Sequence, residues 1–433
     1  MSKILNVFLI FIIISGCSFN KNSKFWTKEK IKEEVQLNSK KIFVKEDPLS
    51  LELNSDLKIK LTSKVVNKFS LNTLDNNYGR IDFDGFFSNK SKFKFSKISN
   101  FFRFDPEIVI NDNKVIFFDN KGAILKFDKN SRLIWKNNFY TKKEQKLKPI
   151  LQLNSNKQIL IVADNISKYY AVDIVTGELK WAKYNNSPFN SQIKIYGDKF
   201  FVIDSENILI CYSLKDGNEI WKTKTSKAFI KSQKKLSIII VKDKVYFNNS
   251  VGEISAVDIN SGTLLWQTPT QNSLILEDSF SLKTSDLVAY KNSIILSNNK
   301  NKFLSLGLDS GIINWEQKIN THLRSSIIND LIFSVTTNGF LTIVDFKNGN
   351  LIRTTDIFKP FKEKKRKKIK PVGFIITLKN IYLSTSNGKL LVIDIETGKT
   401  ISVLKIDKNK ISKPFIENKN MFLVTDSSII KLN

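Results

Sequence analysis

Few side chains in this chain of 433 residues could do chemistry on their own. His322 is the only histidine, which argues against a serine–histidine–aspartate triad and against a histidine-rich metal site. The two cysteines, Cys17 and Cys211, are far apart, and the sequence contains neither a Cys-x-x-Cys pair nor a glycine-rich phosphate loop. The sequence therefore gives no positive indication of an enzyme, although it does not exclude one.

Cys17 follows a segment typical of export. Lys3 precedes an apolar run from Ile4 to Ile14, which is the length of a secretory signal and too short to span a bilayer permanently. The run ends in Ile-Ser-Gly-Cys, which resembles the bacterial lipobox, whose cysteine is diacylated and becomes the new N-terminus. The alternative is an ordinary cleaved signal peptide. We predict a signal peptide over residues 1–16 and a stable lipid anchor on Cys17, because several acyl chains bind a membrane far more firmly than one.

Two further expectations follow from the predicted export and lipid anchor. Ser18 stands where an aspartate would favour retention at the inner membrane, so the outer membrane is predicted. Cys211 is then the only cysteine left in the mature chain, and its apolar surroundings from Ile208 to Tyr212 predict a buried structural thiol with no disulfide.

The chain is strongly basic, with 69 Lys and Arg against 41 Asp and Glu and a net charge of +28. Its richness in Lys, Asn, Ile and Phe is typical of proteins from AT-rich genomes, which explains most of the charge. A basic surface still attracts anionic headgroups or acidic partners. The densest run, Lys362 to Lys368, is interpreted as a solvated loop, with contact to lipid or a partner as the alternative. Nucleic acid is not an expected partner of an exported lipoprotein.

The acidic residues follow a repeat that extends through most of the chain. Six turn glycines are separated by 40, 45, 49, 38 and 49 residues, namely Gly177, Gly217, Gly262, Gly311, Gly349 and Gly398. A tryptophan follows four residues after each of the first four, and an earlier copy keeps Trp135 without the glycine; the last two copies have Arg353 and Ser402 instead. Acidic residues at one repeat position (Asp173, Asp258, Asp345, Asp394) are expected to cap the turn. A period of this length with short strands predicts a β-propeller.

Each repeat contains four short strands in about 33 residues, and the tryptophan would cover the face between neighbouring blades. Seven repeats are complete, and three further strands end the chain. Residues 92–98 lie just before the first repeat and could supply the missing strand. The sequence therefore predicts an all-β protein, an eight-bladed β-propeller of four-stranded antiparallel blades over residues 91–433. Its last blade is closed by an N-terminal strand, which removes the exposed sheet edges.

The phrase Asp-x-x-Thr/Ser-Gly-x-x-x-Trp resembles the repeat of quinoprotein alcohol dehydrogenases, over about four-fifths of the chain. That resemblance implies an eight-bladed propeller that holds pyrroloquinoline quinone beside a calcium site, a catalytic aspartate and, commonly, a disulfide between adjacent cysteines. A propeller with one cysteine cannot form that disulfide, and this chain is shorter than those enzymes. We therefore predict no cofactor and no metal.

The lipobox, the eight blades and the abrupt ending from Pro414 to Leu432 together resemble the BamB family of the outer-membrane β-barrel assembly (BAM) machinery. The resemblance implies a non-catalytic scaffold at the periplasmic face of the outer membrane. It also implies docking on a BamA-like barrel-inserting protein through two inter-blade loops. By position these loops contain Phe229, Ile230 and Lys231, and then Glu277 and Asp278. Alternatively, Phe229 and Ile230 begin the first strand of a blade.

Residues 17–90 are predicted to form a lipidated tether longer than is usual in that family, and residues 72–80 are dense in turn formers. That segment is either an extra ordered loop or an extension without a defined role. Two other functions remain open at this stage, a quinoprotein-type periplasmic enzyme and a propeller lipoprotein with another envelope partner.

Overall fold

The computed structural model describes residues 51–62, 73–85, 87, 89–227, 234–271 and 282–433. These residues are almost entirely β-structure, with two short helices, α1 (Lys142–Lys146) and α2 (Glu363–Arg366), and one 3₁₀ turn (Phe101–Arg103). Within the described ranges, no helix has the length and apolar character that crossing a membrane requires.

The strands form eight four-stranded antiparallel sheets, and β1 (Arg80–Ile81) adds a fifth strand to one of them. Blade 1 contains β3 (Val109–Asn111), β4 (Lys114–Phe118), β5 (Ile124–Phe127) and β6 (Leu133–Asn137). Blade 2 contains β7 (Leu151–Ser155), β8 (Ile159–Asp164), β9 (Lys168–Asp173) and β10 (Leu179–Tyr184). Blade 3 contains β11 (Lys194–Tyr196), β12 (Lys199–Ile203), β13 (Ile208–Ser213) and β14 (Glu219–Lys224). Blade 4 contains β15 (Ile238–Val241), β16 (Lys244–Asn248), β17 (Glu253–Asp258) and β18 (Leu264–Pro269).

Blade 5 contains β19 (Val288–Tyr290), β20 (Ser293–Ser297), β21 (Phe303–Gly307) and β22 (Ile313–Gln317). Blade 6 contains β23 (Ser326–Ile328), β24 (Leu331–Val335), β25 (Phe340–Asp345) and β26 (Leu351–Asp356). Blade 7 contains β27 (Pro371–Thr377), β28 (Asn380–Thr385), β29 (Lys389–Asp394) and β30 (Thr400–Lys405). Blade 8 contains β31 (Phe415–Glu417), β32 (Asn420–Val424), β33 (Ser428–Leu432) and β2 (Lys90–Lys94). The predicted eight-bladed β-propeller is confirmed.

The last blade is closed by a strand from the N-terminal side, as the sequence predicts. β2 pairs antiparallel with β33, and its central side chain, Phe93, is only 1% exposed. The strand begins at Lys90, two residues before the predicted start, and ends at Lys94. Beyond Lys94 the chain leaves the sheet, although the amides of Phe95 and Ile98 still donate to carbonyls of residues 427 and 426. The first and last parts of the propeller are thereby joined by one sheet.

Each tryptophan of the repeat packs on the glycine turn of the next blade. The indole of Trp221 donates to the carbonyl of Ile259 at 3.2 Å and lies against Gly262. Gly262 has a φ of +70°, and a Cβ atom there would approach the Trp221 ring to 2.5 Å, so only glycine suits both the turn and the contact. The same indole-to-carbonyl bond joins the blades at Trp135, Trp181, Trp266 and Trp315. The predicted inter-blade role of the tryptophan is confirmed.

Arg353 stands at the tryptophan position of blade 6. It also joins its blade to the next one, but through a charged guanidinium group. Its guanidinium is fully buried and donates to the carbonyls of Ile395 and Glu396 in blade 7. It also donates to the carbonyl of Leu57 at 2.8 Å, which an indole with one N–H group could not do in addition. Burial lowers the pKa of Arg353 to about 10, so the side chain is cationic at neutral pH.

Arg353 thereby anchors residues 51–62 along the outer edge of blade 6. Leu53 pairs antiparallel with Thr354, and the amide of Ile59 donates to the carbonyl of Glu396 at 2.9 Å. The departure from tryptophan at this repeat is explained by the additional chain segment that Arg353 binds.

A second N-terminal stretch, residues 73–81, enters the centre of the ring. The carbonyls of Leu74 and Asp75 accept the amides of Ile240 and Ala289 at 2.8 and 2.9 Å. β1 then pairs parallel with β27, at the innermost edge of blade 7. The turn-rich stretch is therefore an ordered loop, and this part of the predicted tether is built into the propeller.

Cys211 lies in β13 with 0% exposure and is a free thiol. Burial raises its pKa to about 12. The prediction of a buried structural thiol is confirmed.

Candidate interaction face and central funnel

The two ends of the propeller differ in charge. One end, which we call the connector face, carries the connectors from each outer strand to the next inner strand and the hairpins between second and third strands. The opposite end, the turn face, carries the glycine turns and the hairpins between first and second strands. In the described residues the loops of the connector face contain 26 Lys and Arg against 10 Asp and Glu. Those of the turn face contain 10 against 9. The net positive charge of the loops is therefore concentrated on the connector face.

The basic run between blades 6 and 7 contributes most to this asymmetry. It includes α2, whose residues are at least partly exposed, so that the interpretation as a solvated segment is consistent with the structure. Arg366, although partly exposed, is bonded to the protein. It pairs with Asp356 at 2.7 Å and donates to the carbonyl of Phe361 at 2.8 Å. These bonds fix the basic run against blade 6.

A funnel opens at the centre of the connector face, where the inner strands begin. Its cavity has a volume of about 60 Å³. Seven charged side chains of the described residues line it, all in connectors that precede an inner strand: Asp105, Glu107, Lys234, Lys235, Asp286, Arg324 and Lys413. The radial convergence of the blades brings these residues together, although they are spread over three hundred positions of the sequence.

The carboxylates of the funnel form ion pairs with neighbouring Lys and Arg side chains. Glu107 contacts Lys235 at 3.0 Å and Lys413 at 3.1 Å. Burial alone would raise the pKa of Glu107, but the charges of Lys235, Lys413 and Arg324 outweigh it and hold the pKa well below its usual range. The carboxylate is therefore ionised at physiological pH, and it cannot donate a proton as a general acid.

Arg324 forms the second pair. Its Nε and Nη2 atoms donate to Asp286 at 2.8 and 2.5 Å, and its guanidinium lies 4.5 Å from the ring centre of Tyr78. Burial opposes ionisation of Asp286, yet Arg324 and Lys234 hold its pKa far below the usual value. Tyr78 comes from the N-terminal loop, so that loop forms part of the funnel wall.

Asn76 lines a smaller cavity that shares Glu107 and Arg324 with the funnel. Its Nδ2 lies within hydrogen-bond distance of Gln192 (3.2 Å), Ser237 (3.1 Å) and the carbonyl of Leu287 (3.0 Å). Its Oδ1 accepts a bond from Lys194 at 2.7 Å. Burial, reinforced by Arg324, lowers the pKa of Lys194 to about 7, so this lysine is only partly charged at neutral pH.

We expect Asn76→Ala to lower the free energy of unfolding by about 2 kcal/mol, because it removes a buried side chain that bonds three blades and Lys194. Urea denaturation followed by tryptophan fluorescence measures the change. Asn130→Ala, at an exposed turn position, is the matched control and should stay within about 0.5 kcal/mol. Equal stabilities of the two variants would contradict a structural role of the N-terminal loop.

His322 also lines the funnel and has no catalytic partner that the structure describes. Burial, with Lys234 and Lys283 nearby, lowers its pKa to about 3, so the imidazole is neutral at physiological pH.

A quinone cofactor does not fit the funnel. Sites for ligands of that size occupy roughly 300–1,000 Å³, several times the cavity here. Residues 73–81 bind the inner strands of blades 4, 5 and 7, and Glu107 and Asp286 are engaged by cations. In the part of the chain that the structure describes, no group of three or more His, Cys, Asp or Glu could hold a metal ion.

The predicted site residues lie outside the described ranges. These are the lipidation site Cys17, the docking residues Phe229, Ile230 and Lys231, and the pair Glu277 and Asp278. The two docking segments belong to adjacent connectors, between β14 and β15 and between β18 and β19. The described ends of both connectors, such as Lys234 and Asp286, lie at the connector face beside the funnel. Their role as docking residues stays a prediction.

Sequence reasoning missed the funnel. Glu107, Asp286, Arg324 and Lys413 form no local motif, and each is one charged residue among many. The available signal was their position in the repeat, since each lies two residues before the first strand of a blade. An alignment of the repeats on their inner strands would have placed these residues together.

Eight blades joined by tryptophans that pack on glycine turns are characteristic of proteins with PQQ-like repeats. The model of the family described as outer membrane protein assembly factor BamB matches residues 120–355, more than half of the chain. The chain belongs to this family. No curated protein matches it in sequence.

Solved structures with the same fold are distant in sequence. BamB from Moraxella catarrhalis superposes with a TM-score of 0.62 at 13% identity, covering 79% of this chain and 100% of its own. A europium-containing methanol dehydrogenase gives 0.60 at 10% identity, over 83% and 86%. Sqt1 from Saccharomyces cerevisiae gives 0.58 at 10%, over 78% and 98%. At these identities the likeness concerns the fold alone.

Proposed function

We propose that this protein is a non-catalytic scaffold lipoprotein of the outer-membrane β-barrel assembly machinery. It is held by lipid at the periplasmic face of the outer membrane and docks on a BamA-like barrel-inserting protein. Membership of the BamB family carries the proposal. The poor fit of the funnel to a quinone supports the non-catalytic part, because the chemistry of the quinoprotein enzymes resides in that cofactor.

The connector face is the proposed docking surface. Phe229 to Lys231 and Glu277 to Asp278 belong to two adjacent connectors whose described ends meet at this face. An apolar pair beside a cation suits a small desolvated contact with a charged rim. The excess of basic residues on the surrounding loops would speed the approach of an acidic partner and make it salt-dependent.

We expect Ile230→Asp to abolish capture of the barrel-inserting protein, because the change would place a charge in an apolar contact at a cost of about 2–4 kcal/mol of binding free energy. A pull-down after gentle detergent extraction measures capture, and circular dichroism on the same sample reports the fold.

Val175→Asp is the matched control, because Val175 is an apolar residue of the turn face with 68% exposure. Its capture should equal that of the wild type. Unchanged capture by folded Ile230→Asp would move the interface elsewhere. Loss of capture together with loss of the fold would instead favour the interpretation of Phe229 and Ile230 as the start of a core strand.

The fold likeness to a methanol dehydrogenase keeps a quinoprotein enzyme as the second candidate. Denaturation of protein purified from membranes, followed by absorption spectroscopy and metal analysis of the supernatant, separates the two. Stoichiometric quinone and bound metal would overturn the scaffold proposal. Their absence after growth with added quinone and calcium would support it.

A further inference from the structure

Among the residues that the structure describes, the funnel is lined by more positive than negative charge. Four cationic side chains line it against three carboxylates: Lys234, Lys235, Arg324 and Lys413 against Asp105, Glu107 and Asp286. A fifth cation, Lys410, pairs with Asp105 at 2.7 Å. The side chains of Arg324, Lys235 and Lys413 are only 10%, 14% and 18% exposed. Charges removed from water are costly unless they are compensated, so this excess calls for a counter-charge.

Arg324 shows where compensation is incomplete. Its Nε and Nη2 atoms bind Asp286, whereas its Nη1 atom is buried and has no hydrogen-bond acceptor among the described residues. Arginine does not release its proton at physiological pH, so the donor is permanent. Burial, reinforced by the positive charge of Arg324, lowers the pKa of Lys194 to about 7. A bound water or ion is one of the explanations for a buried donor that has no partner in a native protein.

The shape of the funnel limits the size of that ligand. A cavity of about 60 Å³ has room for a few water molecules or one small polyatomic anion. The funnel also opens on the connector face, whose basic loops raise the local concentration of anions. Phosphate and carboxylate oxygens match the guanidinium and ammonium donors that converge there.

We infer that the funnel is a binding site for one oxyanion group, a phosphate or a carboxylate, held by Arg324, Lys413 and Lys234. The group belongs either to a small free anion or to an acidic side chain that a docked polypeptide inserts into the funnel. The site does not depend on the proposed scaffold role, since its donors are in place in the propeller itself.

Isothermal titration calorimetry of the full-length protein in mild detergent tests this inference. The probes are inorganic phosphate, citrate and a hexaglutamate peptide, each titrated in chloride buffer of matched ionic strength. We expect saturable binding of one equivalent of at least one probe. Binding of phosphate or citrate identifies a free anion as sufficient, whereas binding of hexaglutamate alone identifies a polypeptide carboxylate.

Lys413→Gln and Lys234→Gln are the test variants, because each removes a funnel cation and leaves every funnel carboxylate with another cationic partner. Glu107 keeps Lys235, Asp105 keeps Lys410, and Asp286 keeps Arg324. We expect each variant to weaken binding by about tenfold, the loss of one charge-assisted bond.

Lys364→Gln is the matched control, since it removes the same charge from an exposed position of α2 on the same face. It should bind as the wild type does. Absence of saturable binding for all three probes would overturn the inference. So would equal weakening in Lys364→Gln, because that result would assign the effect to the general charge of the face.

Discussion

Without Lys90–Lys94 the protein is expected to lose its cooperative unfolding transition and to aggregate. β2 is the fourth strand of blade 8, and its removal exposes the edge of β33. It also removes Phe93, which packs at ring-centre distances of 5.7 Å on Phe127 of blade 1 and 6.3 Å on Phe422 of blade 8. The loss would approach the entire stability of a typical domain, roughly 5–15 kcal/mol. Differential scanning calorimetry and size-exclusion chromatography of the deletion variant measure it.

Two point substitutions in the same strand provide a graded comparison. Phe93→Ala should lower the free energy of unfolding by about 3–5 kcal/mol, the usual cost of an aromatic cavity. Lys92→Ala, whose side chain is exposed, should change it by less than about 0.5 kcal/mol. A deletion variant that melts like the intact protein would refute closure by this strand.

Replacement of Cys17 by Ala behind an ordinary cleavable signal is expected to release the protein from the outer membrane into the soluble periplasmic fraction. Each buried methylene of an acyl chain contributes about 0.8 kcal/mol to membrane binding, so loss of several chains lowers partitioning by many orders of magnitude. Membrane fractionation and immunoblotting measure the distribution. Mass spectrometry of the wild-type N-terminus should show acylation of Cys17.

The basic connector face provides the competing source of membrane affinity. Washing the membranes of the Cys17→Ala strain at high ionic strength separates the two, because electrostatic attachment is screened by salt whereas acyl insertion is not. A variant that stays firmly on the outer membrane after the wash would disprove the assignment of Cys17 as the anchor.

The repeat, the blade count and the closing strand could all be read from the sequence. Each depends on local patterns, namely alternating apolar runs, a glycine that allows positive φ, and a tryptophan at a fixed distance from it. Contacts between neighbouring blades repeat with the same period, so Trp221 on Gly262 could be anticipated from the repeat alone. The closing strand followed from counting, because a blade of three strands needs one more.

Only the tertiary structure decided which distant parts of the chain meet at the outer edge and at the centre of the ring. Arg353 looks like a lost tryptophan in the sequence, yet it holds Leu57, 296 residues away. Asn76 likewise bonds Leu287 across 211 residues, and no periodic signal links such positions. The funnel charges converge because eight inner strands begin around one axis, so residues that stand singly in the sequence share one cavity in space. Closure of the ring creates that proximity, whereas local pattern determines only the blades.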